Sequence, residues 1–319
     1  MAAAPTSPFA QAFAALEARD RRALASLLDA DPELVLARGD GGNDLLGLAV
    51  SLGDAQGVAL LLERGADPAR GNVHGWTPLH QATHLGDVGL TATLLSAGAP
   101  VASNARGDGG TPLVVALLWG QRATAELVAA AEGGLAPVNL RVAAGLGRLD
   151  LIERLLGPDG RLAPEAGSGR GFYRPHGGFP SWAPGDAPAE IRDEAVAWAA
   201  RNDRAAAVAL LAVRGAVLER DVYRGTPLAW AAACGALDAA ARLVSLGADP
   251  NGRTSFGGPG HGEETTALHL AAESGRVAMV ELLLAAGADR ALRDGLHRAT
   301  PAEWAEHAGR DEAAARLRR

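Results

Sequence analysis

The chain repeats itself, and the repeat decides what it can fold into. Thr77-Pro78-Leu79-His80, Thr111-Pro112-Leu113-Val114 and Thr226-Pro227-Leu228-Ala229 share one pattern. Thr266-Ala267-Leu268-His269 and Thr300-Pro301-Ala302-Glu303 are variants of it. A glycine follows nine residues after each threonine, at Gly86, Gly120, Gly235, Gly275 and Gly309. A threonine hydroxyl caps the free amides of a helix start, and proline at the next position has no amide to lose. The glycine accepts the left-handed backbone that ends a helix. A second apolar helix then follows, carrying Leu-Leu pairs such as Leu61-Leu62, Leu94-Leu95 and Leu283-Leu284. It closes at Gly65-Ala66-Asp67, Gly98-Ala99-Pro100, Gly247-Ala248-Asp249 or Gly287-Ala288-Asp289. A helix pair of this size cannot bury its apolar face alone, so the pairs must stack.

The same register places weaker units. Gly53 anchors one whose first helix starts near Asp44, and Gly147 one starting near Val138. Asp203 stands in the glycine position after Glu194–Ala200, and Asp20 does so near the start. Nine anchors result, at 20, 53, 86, 120, 147, 203, 235, 275 and 309, predicting about nine helix pairs. The arginine-rich ends suit solvent-facing caps, an N-terminal capping unit over 1–39 and a C-terminal one over 296–319.

This pattern resembles the ankyrin repeat, and the resemblance covers nearly the whole chain, 1–319, as a single domain. It implies an all-α solenoid with short β-hairpin-like fingers that recognises a protein partner without catalysis. It also implies that the two residues before each anchor face a concave groove, flanked by the fingers. Carried over by position, that set is Leu52, His84, Leu85, Leu118, Trp119, Leu146, Arg201, Asn202, Cys234, Glu273, Ser274 and His307, with Trp76 and Tyr223 beside it. Trp198, Trp230 and Trp304 each lie five residues before an anchor, a position of packing between units. His80 and His84 have the i, i+4 spacing of a metal pair. The family resemblance instead gives His80 and its counterpart His269 structural hydrogen bonds, so no metal or cofactor is expected. Cys234 reads as an inert small side chain.

The repeat fails in the middle. Gly120 and Gly147 are 27 residues apart, and Ala131–Pro137 replaces the usual finger. The next interval, to Asp203, is 56 residues, 23 beyond the regular 33. The excess lies in an insertion over 157–190 with eight glycines and six prolines, which excludes a regular helix through most of it. Phe172, Tyr173, Phe179 and Trp182 crowd into eleven residues of it, and flexible linkers are aromatic-poor. Segment 171–182 therefore reads as an ordered loop docked on the finger-poor middle, acting as a plug or as a recognition element. Arg174 and His176, with Tyr173, offer donors for a carboxylate or phosphate. The alternative function is accordingly a small anionic-ligand binder, or an enzyme, with a pocket between groove and loop. A smaller insertion, 252–264, enlarges one finger.

Composition removes other classes. All 30 basic residues are arginine, so no lysine serves a phosphate loop, a kinase site or a Schiff base. The net charge of −7, without a basic block, argues against nucleic acid. One cysteine excludes an internal disulfide. The first residues lack a secretory pattern, and no apolar run is long enough to span a membrane. The expectation is a cytoplasmic protein. Arginine-only basicity with abundant alanine and glycine suggests a GC-rich, bacterial genome.

Overall fold

The computed structural model describes residues 7–105, 109–131, 133, 139–173, 185–256 and 263–319. Among them are eighteen α-helices in nine pairs and no strand. Where the sequence suggests one array, the chain divides into two compact units, Met1–Ala116 with Gln121–Ala136, and Leu117–Gly120 with Pro137–Arg319. The division falls at the short 27-residue interval.

The first unit pairs α1 (Pro8–Glu17) with α2 (Arg21–Ala30), α3 (Leu45–Ser51) with α4 (Ala55–Glu63), and α5 (Pro78–Leu85) with α6 (Val88–Ser96). α7 (Pro112–Leu118) and α8 (Arg122–Ala131) complete it, the last residues of α7 belonging to the second unit. Leu16, Leu24, Leu46, Val50, Leu61, Leu79, Leu90 and Leu94 form its buried core. The second unit pairs α9 (Leu140–Leu146) with α10 (Leu149–Leu155), α11 (Pro188–Arg201) with α12 (Ala205–Val213), and α13 (Pro227–Cys234) with α14 (Leu237–Ser245). α15 (Ala267–Glu273) with α16 (Val277–Ala285), and α17 (Pro301–His307) with α18 (Asp311–Arg318), follow. Its core runs from Leu140 and Leu155 through Val208, Leu228, Leu268 and Leu283 to Leu317. Alanine fills much of it, which lets short helices approach closely.

The caps behave as the sequence dictates. Thr226 Oγ1 accepts from the Ala229 amide at 3.3 Å, and Thr300 and Glu303 cap each other reciprocally. Thr77 and His80 do the same, and His80 Nε2 donates to Gly110 O at 2.9 Å. His269 repeats this with Thr266 and Ala299 O, at 3.2 and 3.1 Å. In each ring Nδ1 accepts from an amide, so the neutral tautomer with a proton on Nε2 is required. Burial lowers the His80 pKa to about 4 and the His269 pKa in the same direction.

Three local expectations shift. Asp20 is not the left-handed residue; Arg19 is, at φ 55°, and Asp20 caps α2 by accepting from Ala23 N. The first helix of the Gly147 unit, expected to start near Val138, is capped by Asn139, the next residue. The fingers are tight turns held by single bridges, such as Arg38↔Asp44, Val222↔Gly225 and Thr254↔Thr265.

The anchor glycines have a second task beyond their dihedral. At Gly235 a methyl group would overlap the Arg276 guanidinium, which donates to Ala233 O at 3.2 Å. Arg204 reaches Gly145 O, and Arg310 reaches Glu273 O, both at 3.2 Å, across Gly147 and Gly275. Each arginine starts the second helix of one pair and seats its charge on the carboxyl end of the preceding first helix, where a cation is favoured. Arg148, which starts α10, leaves this pattern and pairs with Asp150 on the surface.

Candidate functional site

In the second unit, the segment Leu117–Gly120 lies over the ends of α11 and α13. Gly120 makes this approach possible, since a Cβ there would sit 2.6 Å from Arg201 O and 2.9 Å from the Cys234 Cβ. Asn202 Nδ2 donates to Leu117 O at 2.8 Å and to Trp198 O at 2.9 Å. Arg201 Nη1 donates to Leu118 O at 3.3 Å. Its guanidinium lies 3.5 Å from the ring centre of Trp230, with Trp198 at 5.9 Å on the same helix. A guanidinium is weakly hydrated and planar, so it stacks where a lysine would not.

This packing corrects part of the groove expectation. Arg201 is 1% exposed and Asn202 is buried with it, because the end of α7 covers them, and Leu118 on that end is buried by the same packing. Trp119, at the following position, is 42% exposed. Cys234 is half-buried with its Sγ 3.9 Å from Trp119 O, and burial pushes its thiol pKa up despite Arg201 and Arg276 nearby. A raised pKa leaves little thiolate at neutral pH. Tyr223 is half-exposed at the tip of the finger before α13, with Tyr223 and Arg224 both left-handed at φ 50° and 73°. Its ring lies parallel to Trp230 at 6.3 Å, and Phe256 meets Trp230 edge-on at 4.6 Å. Trp230 Nε1 donates to Val222 O at 3.0 Å, fixing the finger on its own helix. Trp198 and Trp230 are therefore core residues, and Trp304 is half-buried with Nε1 on Asp294 Oδ2 at 3.0 Å.

In the first unit, Leu52 and Leu85 hold equivalent positions before Gly53 and Gly86 and are 36% and 44% exposed. His84 is half-buried, and its carbonyl accepts from Gln121 Nε2 at 3.5 Å. Trp76 is half-buried, stacked on His80 at 5.2 Å, with Nε1 donating to Gln81 Oε1 at 2.9 Å. His80 thus spends both ring nitrogens on the fold, and the His80–His84 pair is not a ready ligand set. Among the described residues no three His, Cys, Asp or Glu side chains converge on a point suited to a metal ion.

Of the insertion, Phe172 is buried, and Gly171–Tyr173 forms a short 3-10 turn. The Tyr173 side chain, Arg174, His176, Phe179 and Trp182 lie outside the described residues, as does part of the enlarged finger, 257–262. α11 begins at Pro188, so the end of the insertion is helical. Sequence reasoning missed Arg141, Arg170 and Glu194, a buried group beside that insertion. The clue was positional: Arg141 lies six residues before Gly147, as His80 lies six before Gly86.

No helix of the described chain is long and apolar enough to cross a membrane. The chain is similar to the mouse Ankyrin repeat and SAM domain-containing protein 6, 40% identical over 96 residues, which are 30% of this chain and 11% of that protein. The rat protein of that name is 38% identical over the same shares. The mouse 2-5A-dependent ribonuclease is 44% identical over 69 residues, 21% of this chain and 9% of that protein. The chain thus spans about a tenth of the length of these curated relatives. The model for ankyrin repeats in three copies matches residues 46–138, and that for a single ankyrin repeat matches 263–295. The chain therefore carries ankyrin repeats over the matched stretches, and the nine helix pairs among the described residues are consistent with an all-helical ankyrin-repeat solenoid.

Proposed function

We propose that the chain is a non-enzymatic binding module that recognises a protein partner through the residues preceding its anchor glycines. Ankyrin repeats are in general protein-interaction modules, and the observation that carries the reading here is the exposure of large apolar side chains at those positions. Leu52 and Leu85 stand out from the first unit and Trp119 from the second. Exposed leucine and tryptophan at defined, rigidly backed positions are the usual anchors of a protein contact. Trp119 has such backing, since Arg201 and Asn202 hold the carbonyls of Leu118 and Leu117 just before it and Gly120 just after it packs against Arg201 O. Tyr223 and the insertion add to the contact in this reading. The protein works in the cytoplasm, and its arginine-only basicity fits a bacterial source.

The test is affinity capture from the native host with the wild type, L85D, W119A and a V213D control. Val213 is 81% exposed on a second helix, away from any anchor position. The reading expects a partner retained by wild type and V213D and lost by L85D or W119A, with all four proteins equally helical. A partner held equally by all four contradicts it.

A further inference from the structure

Counting back from the anchors locates an exchange of residue types with a structural consequence. His80 and His269 each donate to a carbonyl 30 residues further on, Gly110 and Ala299, just before the next repeat begins. Arg141 stands in their position. Its Nη2 donates to Gly169 O at 3.2 Å and its Nη1 to Arg170 O at 3.4 Å, 28 and 29 residues on. The backbone therefore arrives at 169–170 where the next repeat should start. It does not start there. Glu194, nine residues before Asp203, holds the place that Thr77 holds before Gly86, and 23 residues separate Arg170 from Glu194. That is the whole excess of the long interval.

The two ends of this excess meet in the interior. Glu194 accepts from Arg170 Nε at 2.6 Å and from Arg141 Nη1 at 2.9 Å, with all three side chains almost completely buried. Arg170 Nη2 donates to Gly185 O at 2.7 Å, and its Nη1 lies 3.9 Å from the Asp186 carboxylate. Arg141 lies 4.6 Å from the ring centre of Trp198, one turn along α11 from Glu194. Asn139, the cap of α9, donates to Ser168 O at 2.8 Å. A buried guanidinium–carboxylate group adds little net stability, yet it fixes geometry, and removing one partner is strongly felt.

We infer that Arg141, Arg170 and Glu194 are positioning residues that form a clamp on the neck of the insertion. Through Arg170 the clamp ties the outgoing arm at 169–171 to the returning arm at 185–186 and to α11. The two described ends of the insertion, at 169–171 and 185–186, are thus held at fixed points. The ordering cost of closing a loop of this length is met at the neck during folding.

Hydrogen exchange on the full chain tests this with E194Q and R170K. E194Q removes the charge that holds both guanidiniums. Peptides over 163–173 and 185–192 should then exchange together, about tenfold faster or more. α15 to α18 should keep wild-type protection. R170K keeps one charge against Glu194 but cannot also hold Gly185 O, so the 185–192 arm alone should loosen. If E194Q unfolds, or loosens α15 to α18 equally, R170K decides on the same criterion. Wild-type exchange over 185–192 in R170K, or in a folded E194Q, overturns the clamp.

Discussion

Acidification should unfold the chain partly through His80, and the size of the effect follows from its surroundings. The imidazole is completely buried, accepts from Thr77 N through Nδ1 and donates to Gly110 O through Nε2. Burial lowers its pKa from 6.5 to about 4. The unfolded chain therefore binds the proton more readily than the folded one between those values. Stability linked to this group is present above pH 6.5 and is lost as pH falls towards 4. A tenfold difference in proton affinity is worth roughly 1.4 kcal/mol, so the full effect is about 3 kcal/mol, and about 2 kcal/mol is lost by about pH 5. His269 is lowered in the same direction. Asp44 and Asp221 are pushed up by burial and act oppositely at lower pH. A comparison with H80Q cancels these other groups, since glutamine keeps a donor for Gly110 O and does not titrate. Urea unfolding near pH 8 and about pH 5 should show the wild type losing about 2 kcal/mol more than H80Q. A wild-type-minus-H80Q difference that stays flat between the two pH values would refute the neutral, buried imidazole.

Other substitutions separate local causes. G235A should cost about 1–2 kcal/mol more than G247A in urea unfolding, because both glycines are left-handed but only Gly235 seats an arginine. Equal costs would remove the second task assigned to the anchor glycines. T226A should cost about 1 kcal/mol through the lost cap of α13, and T226S should restore most of it. W230A should cost about 4 kcal/mol and release the Tyr223 finger, seen as faster exchange of amides 221–225. Unchanged exchange there would show that the finger holds itself.

What the sequence revealed was local. Thr-Pro starts, left-handed glycines and paired leucines act within a few residues, so nine helix pairs and their caps were readable directly. The clearest departures arose where distant residues meet. Arg201 occupies a position that faces a groove in a regular repeat, yet the end of α7 covers it and Trp230 gives its guanidinium a face to lie on. Nothing within a window of one repeat could reveal a contact to Leu118, 83 residues away. Arg141 and Glu194 drew no reading from the sequence, and only counting from the anchors shows that they replace a histidine and a threonine. At the first unit's start, the shift from Asp20 to Arg19 reflects a choice between two tasks. Asp20 is more useful as an N-cap, which leaves the left-handed position to its neighbour.

The interaction reading is tested most directly by placing a photo-crosslinking amino acid at position 85, at 119 and, as control, at 213. Crosslinking in the native host should yield the same discrete protein adduct from 85 or 119 and none from 213. Equal adducts from all three positions, or adducts from 213 alone, would contradict recognition through the residues before the anchor glycines.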